Sequence, residues 1–121
     1  MTDASLRAQD DQAAAVATAP RVTLDHIEQC IEHEVYFNAG DAACRTNQPD
    51  TAPMHLLTIC VLTLRNGFTV TGTSACASPE NYDKTLGQQI ARRHAVEQVW
   101  ALEGYALRER LWSGYNQGEI W

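Results

Sequence analysis

Residues 62–83 read "LTLRNGFTVTGTSACASPENYD": a strand, a tight turn, a second strand and the start of a helix follow one another without a gap. Asn66-Gly67 between two β-rich runs predicts a type I′ hairpin turn, because Asn and Gly tolerate the positive φ angles that match strand twist. That turn sets Arg65 opposite Phe68, Thr63 opposite Val70 and Val61 opposite Gly72. One sheet face then carries Leu57, Ile59, Val61, Phe68 and Val70. The other carries Cys60, Leu62 and Leu64 against Thr69, Thr71 and Thr73. Both faces are partly apolar, so both are expected to be covered.

Downstream, Ser78 reads as an N-cap with Pro79 in the first helical position and Glu80 and Asp83 in the first turns. Apolar residues then recur at helical spacing through Tyr82, Leu86, Ile90, Val96 and Trp100. A second stripe, Gly87, Ala91 and Ala95, repeats every four residues, and small side chains on one row let a neighbouring backbone come close. "ALEGYALRERLW" continues as a second helix or a kinked extension, with Gly104 as the bend and Leu107 and Leu111 as buried contacts.

Upstream, "TLDHIEQCIEHEVYF" places Leu24, Ile27, Ile31 and Val35 at helical spacing behind a Thr23 cap, which predicts a short amphipathic helix. "NAGDAACRTNQPDTAPM" follows and reads as a long irregular loop from Asn38 to Pro53. Residues 1–21 lack a large-apolar periodicity and are expected to form a mobile tail; residues 115–121 form another. The expected fold is α+β over residues 22–114: an N-terminal helix, an antiparallel β-hairpin or small sheet, and two C-terminal helices.

The 121-residue chain carries a net charge of −6, from 15 acids against 9 bases. That balance argues against a phosphate grip on long nucleic acids. No apolar run is long enough to span a bilayer, and the N-terminus lacks the basic start of a signal peptide. A core built from so few residues favours association between subunits, so a homo-oligomer is expected. Cys30, Cys44, Cys60 and Cys76 lack CxxC spacing and read as reduced thiols.

No nucleophile elbow, P-loop or paired-carboxylate motif is present, and no catalytic residue, metal or cofactor is expected. His26, Cys30 and His33 would share one side of a helix and are all competent zinc ligands. Their spacing gives no sign of a further ligand such as Cys44 or His55, and a plain helix face is the simpler reading. The residues that could bind a ligand are Arg65, Phe68, Asn81, Tyr82, Gln88, Arg92 and Arg93. They offer an aromatic platform, amides and guanidinium forks near a helix start, where anions are favoured. Arg93 falls in the apolar stripe, where it either pairs with Glu97 at the rim or is held at a pocket or subunit seam, while Arg92 points with Asn81 and Gln88.

The ordered string T-x-C-x-L-T-L-x-N-G-F-x-V-x-G-x-S-A-C, then S-P-E-N-Y-D, G-x-x-I-A and W-x-L-E-G-Y-x-L, with "VTLDHIEQCI" upstream, resembles a small tailed-phage protein family. The family is named for the gene-49 and gene-66 products of two phages. Its name implies phage or prophage origin and carries no reaction. A weaker similarity, to phage Thoeris anti-defence sponges, implies an antiparallel sheet followed by two helices and capture of nucleotide immune signals by a symmetric oligomer. None of their ligand residues is carried over.

These readings converge on a non-enzymatic anti-defence protein of the host cytoplasm. It would bind and sequester a small phosphorylated nucleotide, of cyclic ADP-ribose or cyclic oligonucleotide type, without cleaving it. The alternative is a host-takeover protein that binds a host protein, or a structural accessory protein.

Overall fold

A computed structural model describes residues 3–16 and 19–116. Among these residues four helices and one antiparallel sheet follow in the order α1 (Ala4–Val16), α2 (Leu24–Cys30), β1 (Ile31–Asn38), α3 (Ala39–Arg45), β2 (Leu57–Leu64), β3 (Thr69–Ala75) and α4 (Lys84–Asn116). Short 3-10 turns at Ala52–Leu56 and Pro79–Asn81 lead into β2 and α4. The α+β class and the helix, sheet, helix order agree with the sequence reading.

The hairpin closes one residue out of the expected register. Leu62 faces Val70 and Cys60 faces Gly72, while Leu64 N–H donates to the Phe68 carbonyl. Gly67 N–H donates back to the Leu64 carbonyl at 2.9 Å, and Gly67 sits at φ +91°. The loop is therefore a type I turn closed by a left-handed glycine, which adds one residue and twists the strands correctly. That slip moves Val70 and Gly72 onto the face of Cys60, Leu62 and Leu64.

Only part of the expected first helix is helical. Thr23 caps it by accepting from the His26 N–H at 3.1 Å, but the helix stops at Cys30 and Ile31–Asn38 becomes strand β1. Ile31, Val35, Tyr36 and Phe37 are β-favouring, and β1 completes a three-stranded sheet of order β1-β2-β3 by pairing antiparallel with β2. From Ile31 onward, a spacing of four in sequence also satisfies the period of two.

The expected N-terminal tail is helical over Ala4–Val16. Asp10 accepts from Arg21 at 2.8 Å and from the Leu24 N–H at 3.0 Å, and Leu6 packs against the core. At the other end, α4 is one helix of 33 residues running through Gly104, so two C-terminal helices are replaced by one. A Cβ at Gly104 would meet nothing within 4 Å, so the glycine does not make room for a neighbour, and it does not break the helix. Residues 117–121 of the expected C-terminal tail lie outside the described residues. The helix also begins later than Ser78 suggests: Asp83 accepts from the Leu86 N–H at 3.0 Å and caps a helix starting at Lys84.

Helices α2 and α4 cover one face of the sheet. The core is Ile27 and Cys30 of α2, Cys60, Leu62 and Leu64 of β2, Val70 of β3, and Ala91, Ala95, Val96 and Val99 of α4. The small-residue stripe is thus the buried face of α4, whereas Leu86, expected inside, is exposed. The reason is the closeness of β3: a Cβ at Gly72 would run into the Ala91 carbonyl oxygen and the Ala95 amide nitrogen. The opposite sheet face, expected to be covered, lies open among the described residues, with Val35 and Phe37 exposed.

Candidate functional site

Beyond the end of the helix-covered face, the chain builds a cleft of about 720 Å³. Tyr36, Asn38 and Thr58 come from β1 and β2, Lys84 opens α4, and Tyr82 follows the 3-10 turn just before it. Helix α3 contributes Asp41, Ala42 and Arg45, Thr46 caps its C-terminal end, and the 3-10 turn before β2 contributes His55. A smaller cavity of about 140 Å³, which includes Asn81, shares Thr58 and Tyr82 with the cleft.

Local chemistry explains how the cleft is held open. Asn38 ends β1 and caps α3: its Oδ1 accepts from the Gly40 and Asp41 N–H groups at 2.9 and 3.1 Å. Its Nδ2 donates to the His55 carbonyl at 2.7 Å and lies 3.3 Å from the Tyr82 hydroxyl, so one amide ties three segments of the rim. His55 lies between two carboxylates, Nε2 2.8 Å from Asp50 and Nδ1 3.6 Å from Asp41. The hydrogen bond from His55, and one from Cys44, hold the Asp50 carboxyl below its ordinary range. Gly40 lies close beneath this ring, and a Cβ there would have to displace it.

Thr58 is the telling residue. It is 3% exposed, and its Oγ1 is the one fully buried side-chain oxygen or nitrogen among the described residues with no hydrogen-bond partner. Burying a hydroxyl without a partner costs on the order of 1–3 kcal/mol, and here the hydroxyl is closed off by α4, since a Cβ on Gly87 would lie 2.9 Å from Oγ1.

The seven residues singled out by sequence do not assemble. Arg65 and Phe68 are exposed at the hairpin tip, with Phe68 N–H bonded to the Asn66 side chain. Asn81 and Tyr82 lie at the far end of β2, about 20–25 Å away along the strand. Tyr82 lines the cleft, while Asn81 and half-buried Gln88 do not.

Arg92 and Arg93 exchange their expected positions. Arg92 is 3% exposed, with Nε and Nη2 donating to Glu34 at 3.1 and 3.0 Å and Nη2 to Glu28 at 2.8 Å. Burial opposes its charge, but the two carboxylates outweigh that and raise its pKa above the ordinary value. This guanidinium joins α2, β1 and α4 and is taken up structurally. Arg93 is exposed and pairs with Asp3 at 2.7 Å rather than with Glu97. Burial raises the Asp3 carboxyl, but hydrogen bonds from Arg93 and Ser5 prevail and bring it down to about 2.

The expected metal candidates separate as well, because His33 leaves the helix for β1 while His26 and Cys30 remain on α2. Sequence reasoning missed Tyr36, Asn38, Arg45, Thr58 and Lys84. The available signals were the length of the 38–53 segment and the position of the only Lys beside Tyr82.

The sequence profile described as "Phage protein (N4 Gp49/phage Sf6 gene 66) family" matches residues 22–111, and the chain belongs to this family. No curated protein and no solved structure matches the chain.

Proposed function

We propose that this phage protein captures a small phosphorylated nucleotide in the cleft and withholds it, uncleaved, from a host defence effector in the host cytoplasm. The observation that carries this reading is the cleft lining: aromatic rings at Tyr36 and Tyr82 and cations at Arg45 and Lys84 around one space of about 720 Å³. Aromatic rings can stack on a base, and Arg and Lys can hold phosphate oxygens. The volume lies within the range of ligand pockets, roughly 300–1,000 Å³.

Capture without chemistry fits the thiols. Cys60 is buried, and the Cys76 thiol donates to the Ser78 carbonyl at 3.1 Å. A hydrogen bond to Asp50 pushes the Cys44 thiol upward, the opposite of what an activated nucleophile requires. No described helix is long and apolar enough to cross a membrane.

The test is to incubate the purified protein with extract from cells producing the defence signal, remove free solutes by filtration and denature the protein by heat. Release of an intact nucleotide, identified by mass spectrometry, is the expected result. An altered nucleotide would make the protein an enzyme, and no released nucleotide would favour a host-protein binder.

A second copy of the chain is the proposed cover for the open sheet face. Val35, Phe37, Leu57, Ile59 and Val61 alternate there with His33 and a row of threonines, and Asp, Glu, Lys and Arg are absent from its paired positions. A face free of charge can meet its own copy without like-charge repulsion, even in a chain of net charge −6. Light scattering is expected to show a dimer or larger assembly at micromolar concentration, and Val35→Lys should dissociate it. A monomeric parent would remove this reading.

A further inference from the structure

His26 and Cys30 stand one helical turn apart on α2, and Glu103 of α4 reaches between them from far along the chain. Cys30 Sγ donates to Glu103 Oε1 at 2.9 Å, His26 Nε2 lies 3.4 Å from Glu103 Oε2, and Sγ and Nε2 are 3.6 Å apart. In a tetrahedral zinc site, metal bonds of about 2.0–2.3 Å put neighbouring N, O and S ligands about 3.3–3.6 Å apart. The Nε2–Oε2 and Nε2–Sγ separations already match that spacing; Sγ meets the other carboxylate oxygen, Oε1, and a carboxylate rotation would set one oxygen beside both ligands.

From this geometry we infer that His26, Cys30 and Glu103 form a zinc site, with the fourth position open to water or another ligand. Cys30 is 1% exposed, while the His26 and Glu103 side chains keep 35% and 21% of their surface, so the sulfur sits at a dry floor beneath a solvent-reached rim. Glu103 bonds to a thiol and an imidazole, and Arg110 lies near enough to favour its carboxylate. A divalent cation held by all three ligands would add positive charge at bonding distance. The thiol–imidazole pair selects zinc over the harder calcium or magnesium. On binding, the Cys30 S–H bond breaks, its proton leaves to solvent, and the thiolate pair forms the metal–sulfur bond. The ion would fasten α2 to the middle of α4.

A second group, Cys44, Asp50 and His55, also gathers ligand atoms and supplies the internal control. Cobalt(II) is the probe, added to chelator-stripped full-length protein. One equivalent is expected to give thiolate charge-transfer and tetrahedral d–d absorption, both displaced by one equivalent of zinc. Zinc should also raise the melting temperature. Glu103→Gln and His26→Gln, both at partly exposed positions, are expected to keep the fold and weaken cobalt binding by at least about tenfold. Cys30→Ser should remove the charge-transfer band, and Cys44→Ser should leave it. The inference is overturned if the parent shows no thiolate band, if both conservative variants bind as tightly as the parent, or if Cys44→Ser rather than Cys30→Ser removes the band.

Discussion

Gly72→Val is expected to abolish stable folding or lower stability by at least about 3 kcal/mol. Its side chain would have to displace the Ala91 carbonyl and the Ala95 amide of α4. Those are main-chain atoms inside a hydrogen-bonded helix, so no rotamer change can clear the space. Relief would require lifting α4 off β3, with loss of the burial of Val70, Val96 and Val99. Gly104→Ala on the same helix makes the control: with no neighbour within 4 Å, it should stabilise by about 0.5–1 kcal/mol through helix propensity. Urea unfolding followed by circular dichroism reads both. A Gly72→Val protein as stable as its parent would mean that β3 and α4 do not meet there.

Arg92→Met is expected to cost about 3 kcal/mol, because it leaves Glu28 and Glu34 facing each other without their shared cation. The figure sits at the low end for a broken buried pair, since the two carboxylate side chains keep 30% and 25% of their surface exposed. The loss should depend on pH. Burial alone would raise the Glu34 carboxyl, but hydrogen bonds from Arg92 and Tyr36 outweigh it, and the folded pKa lies below the ordinary value. A depressed carboxylate contributes its full stability above the unfolded pKa, about 4.3, and loses it as pH falls through the folded value. The difference between parent and variant should therefore hold from neutral pH to about pH 5 and shrink below that. Chemical denaturation at several pH values measures it, and a difference constant down to acid pH would dismiss the ion pair as its source.

What the sequence disclosed follows from how local each feature is. The Asn66-Gly67 turn, the two strands around it and the close-approach stripe Gly87, Ala91, Ala95 rest on neighbouring residues, and all appear in the structure. The register did not follow, because asparagine and glycine also suit a type I turn ending in a left-handed glycine, and only strand pairing chooses between them. Residues 31–38 satisfied both helical and strand periods until β2 offered its free edge. Arg92 was placed on the row of Asn81 and Gln88, off the apolar stripe, because Leu86 and Trp100 suggested a different buried face, yet contact with β3 admits only the small residues and the row beside them.

The cleft was the least legible element. Tyr82 alone was chosen in advance from its lining. Arg45 and Thr46 come from a segment read as irregular, and Thr58 became informative only once its hydroxyl was seen buried without a partner. Tyr36 was assigned to a helix, so its ring could not be placed in the cleft. Asn38, which organises the rim, acts through contacts 17 and 44 residues away in sequence.

The most direct test of the proposed capture is calorimetric titration of folded variants with cyclic ADP-ribose isomers and cyclic di- and trinucleotides. The parent should bind at least one of them, and Arg45→Ala and Lys84→Ala should each weaken that binding by about 1.5–3 kcal/mol, the scale of a charge-assisted hydrogen bond. Phe68→Ala, at the hairpin tip, should leave it unchanged. Undiminished affinity in both cleft variants, together with a loss in Phe68→Ala, would contradict the account and move the site to the other end of the sheet.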